Sequence, residues 1–223
     1  MSEDGAASAT ETARGRVERV EPSKAERAVA RRVAESKATA PHIYLDAEVR
    51  LDSAPLELVV RACAVALRDF PRLNGAYRDG AFETYSRVNV GVALAGADGQ
   101  VVATVFDADL KDAAEVRAEL ERLADRAGAG ALTSPELAGG TFTITSAAVG
   151  GIRSLIPVLN QGQAATLAIG PVTERPVIRD GAVVAGRGLT ATLACDGRMI
   201  AVEDGARFLD RVRGLLEAQE DAA

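Results

Sequence analysis

The sequence predicts a single α+β domain, and three observations predict it. Helix-start signals recur along the chain, each a Ser, Asp or Thr followed three residues later by Glu. Between them stand short runs rich in Val, Ile, Thr and Ala, with Asp-Gly pairs joining neighbouring runs. No internal repeat and no Pro/Gly-rich linker divides the 223 residues, a length that suits one sizeable core.

Taken in order, residues 1–18 are small, polar and acidic and read as a flexible tail; a folded domain is expected over 19–223. Ser23 with Glu26 opens the first helix, whose apolar stripe is Ala25, Ala28, Val29 and Val33 and which Pro41 ends. The alternation in I-Y-L-D-A-E-V-R-L predicts a strand over 43–51, and Pro55 to Arg68 predicts a largely buried helix. Strands follow from Ala81 to Phe106, turned at Asp98-Gly99. Asp112 with Glu115 caps a second amphipathic helix that ends at A-G-A-G, 127–130. Thr133 with Glu136 is a third cap, just ahead of Gly139-Gly140. T-F-T-I-T-S (141–146) and A-A-T-L-A-I-G-P-V (164–172) read as strands. R-P-V-I-R-D-G-A-V-V-A-G-R reads as a hairpin about Asp180-Gly181, and G-L-T-A-T-L-A-C as one more strand. Glu203 to Gln219 closes the chain as a helix.

Composition excludes several function classes. A formal net charge of −6, with Lys and Arg scattered among acids, is the wrong balance for a phosphate backbone, so no nucleic-acid partner is expected. One histidine and two distant cysteines, Cys63 and Cys195 in apolar runs, make no recognisable metal-ligand set; the thiols read as small core hydrophobes. No run is long and apolar enough to cross a bilayer, and the N-terminus lacks an apolar signal core, so a cytoplasmic location without membrane contact is expected. Neither G-A-G-A nor G-G-T is followed by the Gly-Lys-Ser/Thr of a phosphate loop, and both read as turn and cap glycines.

The order of motifs carries a resemblance. A-V-A-R-R-V-A-E-S-K-A-T-A-P-H-I-Y-L-D-A-E-V is similar to the start of the catalytic domain of dihydrolipoamide acyltransferases, the core subunits of 2-oxoacid dehydrogenase complexes. The likeness continues through F-P-R-L-N-G, N-V-G-V-A, L-T-S-P-E-L-A-G-G-T-F-T-I-T-S and R-P-V-I-R-D-G, and ends in D-G-R-M-I and A-R-F-L-D. It implies a chloramphenicol-acetyltransferase-like fold, a mixed sheet with flanking helices, assembled as a homotrimer with active sites in channels at the subunit interfaces. Coenzyme A would enter such a channel from one side and the acyl acceptor from the other. Two departures stand out: the segment between Val49 and Leu58 is short for the family, and only a polar tail precedes the domain. A stand-alone protein without a lipoyl group is therefore expected.

The family's active loop reads Asp-His-Arg-x-x-Asp-Gly, followed by Ala-Arg-Phe-Leu. Set against Asp196 to Leu209 without gaps, its catalytic histidine falls on Gly197 and its supporting aspartate on Ala201. Asp204-Gly205 looks like the lost Asp-Gly but stands three residues late. In the family the histidine takes the proton from the attacking group as it meets the thioester; glycine offers no side chain for that.

The resemblance leaves Thr145 or Ser146 as donors to a tetrahedral oxyanion, with a hydroxyl-rich strand end as the equal alternative. His42 is a candidate base or substrate contact and otherwise a structural histidine, while Asp196 and Arg198 would orient the loop through an ion pair. Stand-alone relatives occur in tetronate polyketide pathways, where they acetylate an exocyclic hydroxyl from acetyl-CoA. The expected function is that O-acetyl transfer, with acetyl-CoA as co-substrate, a small-molecule acceptor and no metal. The alternatives are a pocket repurposed as a polyketide cyclase and a catalytically inactive trimeric scaffold.

Overall fold

A computed structural model describes residues 9–97, 99–147, 151–179 and 181–220. In chain order it contains β1 (Ala9–Thr12), β2 (Gly15–Glu18), α1 (Lys24–Thr39), β3 (His42–Arg50), α2 (Leu56–Asp69), β4 (Gly75–Arg78) and β5 (Ala81–Thr84). These are followed by β6 (Val90–Gly96), β7 (Gly99–Val105), α3 (Ala113–Gly128), α4 (Ser134–Ala138), β8 (Phe142–Ser146) and β9 (Ala165–Ile169). Last come β10 (Thr173–Arg179), β11 (Ala182–Asp196) and α5 (Val202–Glu220). Seven strands form one sheet in the order β10-β11-β9-β8-β6-β7, with β3 also on β11. The β6–β8 and β8–β9 pairs are parallel and the remaining pairs antiparallel, so the sheet is mixed, as expected.

Register alone sorts the sheet into two faces, because side chains alternate along each strand. One cross-strand row reads Leu45, Leu193, Leu167, Ile144, Val92, Ala103. This apolar face is covered by α2, α3 and α5 and forms the core. Phe208 of α5 is fully buried between Phe142 and Phe70, with ring centroids 5.7 and 5.9 Å away. That contact explains the A-R-F-L-D stretch as an anchor for the last helix. The opposite face is polar: the row one residue along β11 reads Tyr44, Ala194, Thr166, Thr143, Gly91, Thr104.

All three caps form. The Ser23, Asp112 and Thr133 backbone N–H groups donate to Glu26, Glu115 and Glu136 respectively, and Glu26 and Glu115 N–H groups donate back to the cap side chains. The Glu136 carboxylate also accepts from the Thr133 hydroxyl and from Arg122, which joins α3 to α4. These bonds pull its pKa from 4.5 to about 2.

Four expectations change. Residues 9–18, read as tail, pair as an antiparallel hairpin, with Gly15 in the left-handed region and Thr12 Oγ1 donating to its carbonyl. The strand run beginning at Ala81 starts earlier, because Gly75–Arg78 pairs with Ala81–Thr84 across Asp79-Gly80, both at positive φ. The hairpin half 182–187 and the strand 188–195 are one continuous strand. Gly186 and Gly188 do not break it: a Cβ at either would lie 2.6 Å from Val177 Cγ2 or 2.4 Å from the Val49 carbonyl, so both are needed for close packing. Finally, the two valines of the α1 stripe are not core residues, since Val29 and Val33 remain 54% and 43% exposed. Asp98 and Asp180 of the expected turns lie outside the described residues, while Gly99 and Gly181 adopt positive φ.

Candidate active site

β11 delivers the loop 196–201 to one end of the sheet. Its first residue, Asp196, is a carboxylate only 3% exposed, and burial of a charge on that scale requires full pairing. Arg198 supplies it: Asp196 Oδ1 accepts from the Arg198 backbone N–H (3.0 Å) and Nε (2.9 Å), and Oδ2 accepts from Nη2 (2.6 Å). The other side of the guanidinium lies over the Tyr77 ring at 4.3 Å. Asp196 also accepts from Met199 and Ile200 N–H at its carbonyl, which closes the turn. The turn is thus braced from within by the Asp196–Arg198 pair and by the Asp196 carbonyl.

Gly197 sits inside this turn with its N–H donating to the Pro41 carbonyl at 2.8 Å. Gly197 is exposed, but a Cβ there would stand 3.0 Å from that same oxygen and 3.3 Å from Ile43 Cγ2, a tight fit on the side facing β3. Ala201 is exposed and its carbonyl accepts from Gly205 N–H, within the first turn of α5. Gly205 is buried, and a Cβ there would lie 2.6 Å from Leu45 Cδ1. Asp204-Gly205 is thus a helix start packed on the sheet, and Asp204 pairs only with Arg207 at 3.8 Å.

His42 lies directly across from Asp196 in the β3–β11 register. The Leu159 N–H can only donate, so Nε2 accepts from it (3.1 Å) and the ring proton resides on Nδ1, facing the Ala40 carbonyl at 2.7 Å. Both nitrogens are engaged, and the ring ties the 151–164 segment to β3. This is the arrangement of a structural histidine, with no nitrogen left for a substrate proton. Ser36 reinforces the tie by donating to the Leu159 carbonyl at 2.6 Å.

Thr145 and Ser146 face opposite ways. Thr145 pairs with Ala168, in the row that holds Thr192 and Asp46, and so lies half-buried on the polar face with Asp196 and His42. Ser146 pairs with Ile169, on the helix-covered side, and is exposed at the strand end. From Thr145 to Asp196 is two strands across and four residues along, about 16 Å between backbones. One chain brings Asp196, Gly197, Arg198 and His42 together but not Thr145.

The thiols are inert. Burial pushes Cys63 well up, and burial with the Asp196 charge pushes Cys195 up to about 12. Among the described residues no three of His, Cys, Asp and Glu converge on a metal-sized site, and no helix is long and apolar enough to cross a membrane. Sequence reasoning missed Tyr77, the ring that backs Arg198; it lies on a strand that pairs only with its hairpin neighbour and carries no motif.

The mixed sheet with helices on one face and a braced turn at the end of its long strand define a chloramphenicol-acetyltransferase-like fold. The chain matches the family described as 2-oxoacid dehydrogenases acyltransferase (catalytic domain) over residues 52–223, and it belongs to that family. It is 38% identical over 165 residues to the lipoamide acyltransferase component of the branched-chain alpha-keto acid dehydrogenase complex of Pseudomonas aeruginosa. That match covers 73% of this chain but only 38% of the relative's length. Among solved structures, a probable dihydrolipoamide acetyltransferase from Listeria monocytogenes superposes with a TM-score of 0.85 at 25% identity, covering 90% of this chain and 94% of that one. A dihydrolipoamide acetyltransferase of Azotobacter vinelandii shares the fold at a TM-score of 0.87 and 24% identity, covering 93% and 94%.

Proposed function

We propose that the chain is an acyltransferase that moves an acetyl group from acetyl-CoA to the exocyclic hydroxyl of a tetronate-type small molecule in natural-product biosynthesis. It would work in the cytoplasm as a homotrimer. The observation that carries this reading is a loop that keeps its ion pair, Asp196–Arg198, yet presents no base at Gly197. With His42 held at both nitrogens, this reading sends the proton to the substrate itself. A tetronate supplies that acceptor, because its ring is acidic and carries an enolate oxygen beside the hydroxymethyl group.

In this scheme the hydroxyl oxygen attacks the thioester carbonyl carbon while its proton passes to the enolate oxygen. A C–O bond forms and the carbonyl becomes an oxyanion, held by the Thr145 hydroxyl. Collapse breaks the C–S bond, and the leaving thiolate takes the proton back from the enol. Thr145 stands about 16 Å from the loop of its own chain, so loop and oxyanion donor can meet only when a second copy supplies one of them. The exposed Val29, Val33 and Ile156 (61%) give the copies an apolar surface to share.

Purified protein with acetyl-CoA and a hydroxymethyl tetronate should give the acetyl ester, and should give none with dihydrolipoamide. Absence of the ester above background would overturn the reading. A second reading, a catalytically inactive trimeric scaffold, is favoured by the tight approach of the Pro41 carbonyl to the place where a side chain at Gly197 would start. It predicts an intact trimer that does not bind acetyl-CoA, measured by calorimetry. Binding of a tetronate product by protein that leaves acetyl-CoA untouched would point instead to a cyclase.

A further inference from the structure

At the far end of β11 from the loop, one buried hydroxyl lacks a partner and a nearby guanidinium has only long contacts. Thr190 is 7% exposed, and its Oγ1 is buried with no hydrogen-bond partner among the described residues. The Arg175 side chain is 13% exposed, yet its guanidinium contacts are all long. Nη1 is 3.4 Å from the Leu189 carbonyl and 3.6 Å from Glu48 Oε1, and Nη2 is 3.4 Å from Thr173 Oγ1. A buried guanidinium ordinarily makes contacts of about 2.7–2.9 Å, and an unpaired buried hydroxyl is costly.

Register places these groups on one surface. Arg175 pairs with Gly186 and Thr173 with Gly188, and two residues further along the same face is Thr190, itself opposite Glu48. Gly186 and Gly188 carry no side chains, so the guanidinium lies along bare backbone toward the Leu189 carbonyl, beside Thr190. Arg153 reaches the same place, donating from Nη2 to Glu48 Oε1 at 2.8 Å. Two cations thus share one carboxylate. Asp46, the next acid on that face, accepts the Thr192 hydroxyl at 2.6 Å. Arg175 also borders an open groove of about 380 Å³ with Val184, while Glu174 and Pro176 line it from the other strand face.

We propose that Arg175, Arg153 and Thr190 form a binding site for an oxyanion, a carboxylate or a phosphate group. Arg175 grips two of its oxygens and the Thr190 hydroxyl donates to one. Thr190 is six residues from Asp196 on the same strand, about 20 Å away. The site is therefore distinct from the acyl-transfer loop, and its occupancy does not depend on the proposed reaction.

The test uses the whole protein and inorganic phosphate at constant ionic strength, followed by phosphorus NMR line broadening and by the thermal midpoint. Phosphate should broaden and should raise the midpoint. Arg175→Met should weaken binding at least tenfold, and Thr190→Val about fivefold. Thr190→Val also covers the case in which Arg175→Met fails to fold, because it replaces the hydroxyl by a methyl of equal size. If Thr190→Val and Arg153→Gln respond to phosphate as wild type does, the proposal is overturned. Sedimentation separates the sources of the oxyanion. Phosphate that dissociates copies of the chain assigns the native group to an acidic side chain of a second copy, whereas binding without change in association assigns a free anion. Absence of both binding and dissociation overturns the site.

Discussion

The two faces of the sheet are built to different standards. On the helix-covered face the middle of the sheet is apolar and buried, and Leu167, Ile144 and Leu193 have no exposure at all. On the other face threonines, carboxylates and arginines alternate with half-covered positions, and the 151–164 segment crosses it while leaving Leu155 and Ile156 exposed. The first face is complete within one chain. The second is complete only in places: Thr143 accepts from Asn160 and donates to Gln163, whereas among the described residues Thr190 has no partner and Arg175 has only distant ones. Stability resides on the first face and unspent interaction capacity on the second.

Four variants test that contrast. Leu167→Ala should cost the most, about 4 kcal/mol, because it opens a cavity under three helices; chemical denaturation would show it. A loss below about 1 kcal/mol would mean that the core collapses around the gap.

Asp196→Ala should cost about 2 kcal/mol by removing the buried acceptor that braces the turn, while water reaches the one-third exposed Arg198 side chain, a fall of about 6 °C in the thermal midpoint. An unchanged midpoint would show that the loop does not need its ion pair.

Glu136→Gln tests the helix side by pH. The folded pKa of about 2 lies below the ordinary 4.5, so the carboxylate contributes stability that is fully present above pH 4.5 and lost as pH falls toward 2. The gap between wild type and variant, measured in urea, should therefore be widest at neutral pH and close near pH 2. A gap constant across that range would remove the linkage.

The smallest effect on folding is expected from Val33→Ser with Ile156→Ser, within about 0.5 kcal/mol per site. The same pair should impair self-association in sedimentation. Unaltered association would place the contact between copies elsewhere.

Much of this fold was legible in residue order. The three caps form as read, because a Ser, Asp or Thr with Glu three residues on is a local signal that depends on no distant partner. Asp196 and Arg198 were legible for the same reason, lying two residues apart. What stayed hidden depends on partners far along the chain. Gly186 and Gly188 look like breakers until Val177 and Val49 are seen pressed against them. The stripe of α1 looks like a core face, yet nothing in the stripe says which surface covers it. His42 reads as a possible base until the Leu159 N–H, 117 residues away, is found on its Nε2. Thr145 and Ser146 are interchangeable in the sequence, and only strand alternation assigns them to opposite faces.

From Ala191 to Cys195, β11 is laddered to β3 on one edge and to β9 on the other. Its amides there exchange with solvent only when the middle of the sheet comes apart, so they should report the global opening of the molecule. The loop that begins at Asp196 inherits that stiffness. It has no hinge of its own, and access to it must be governed by whatever moves around it.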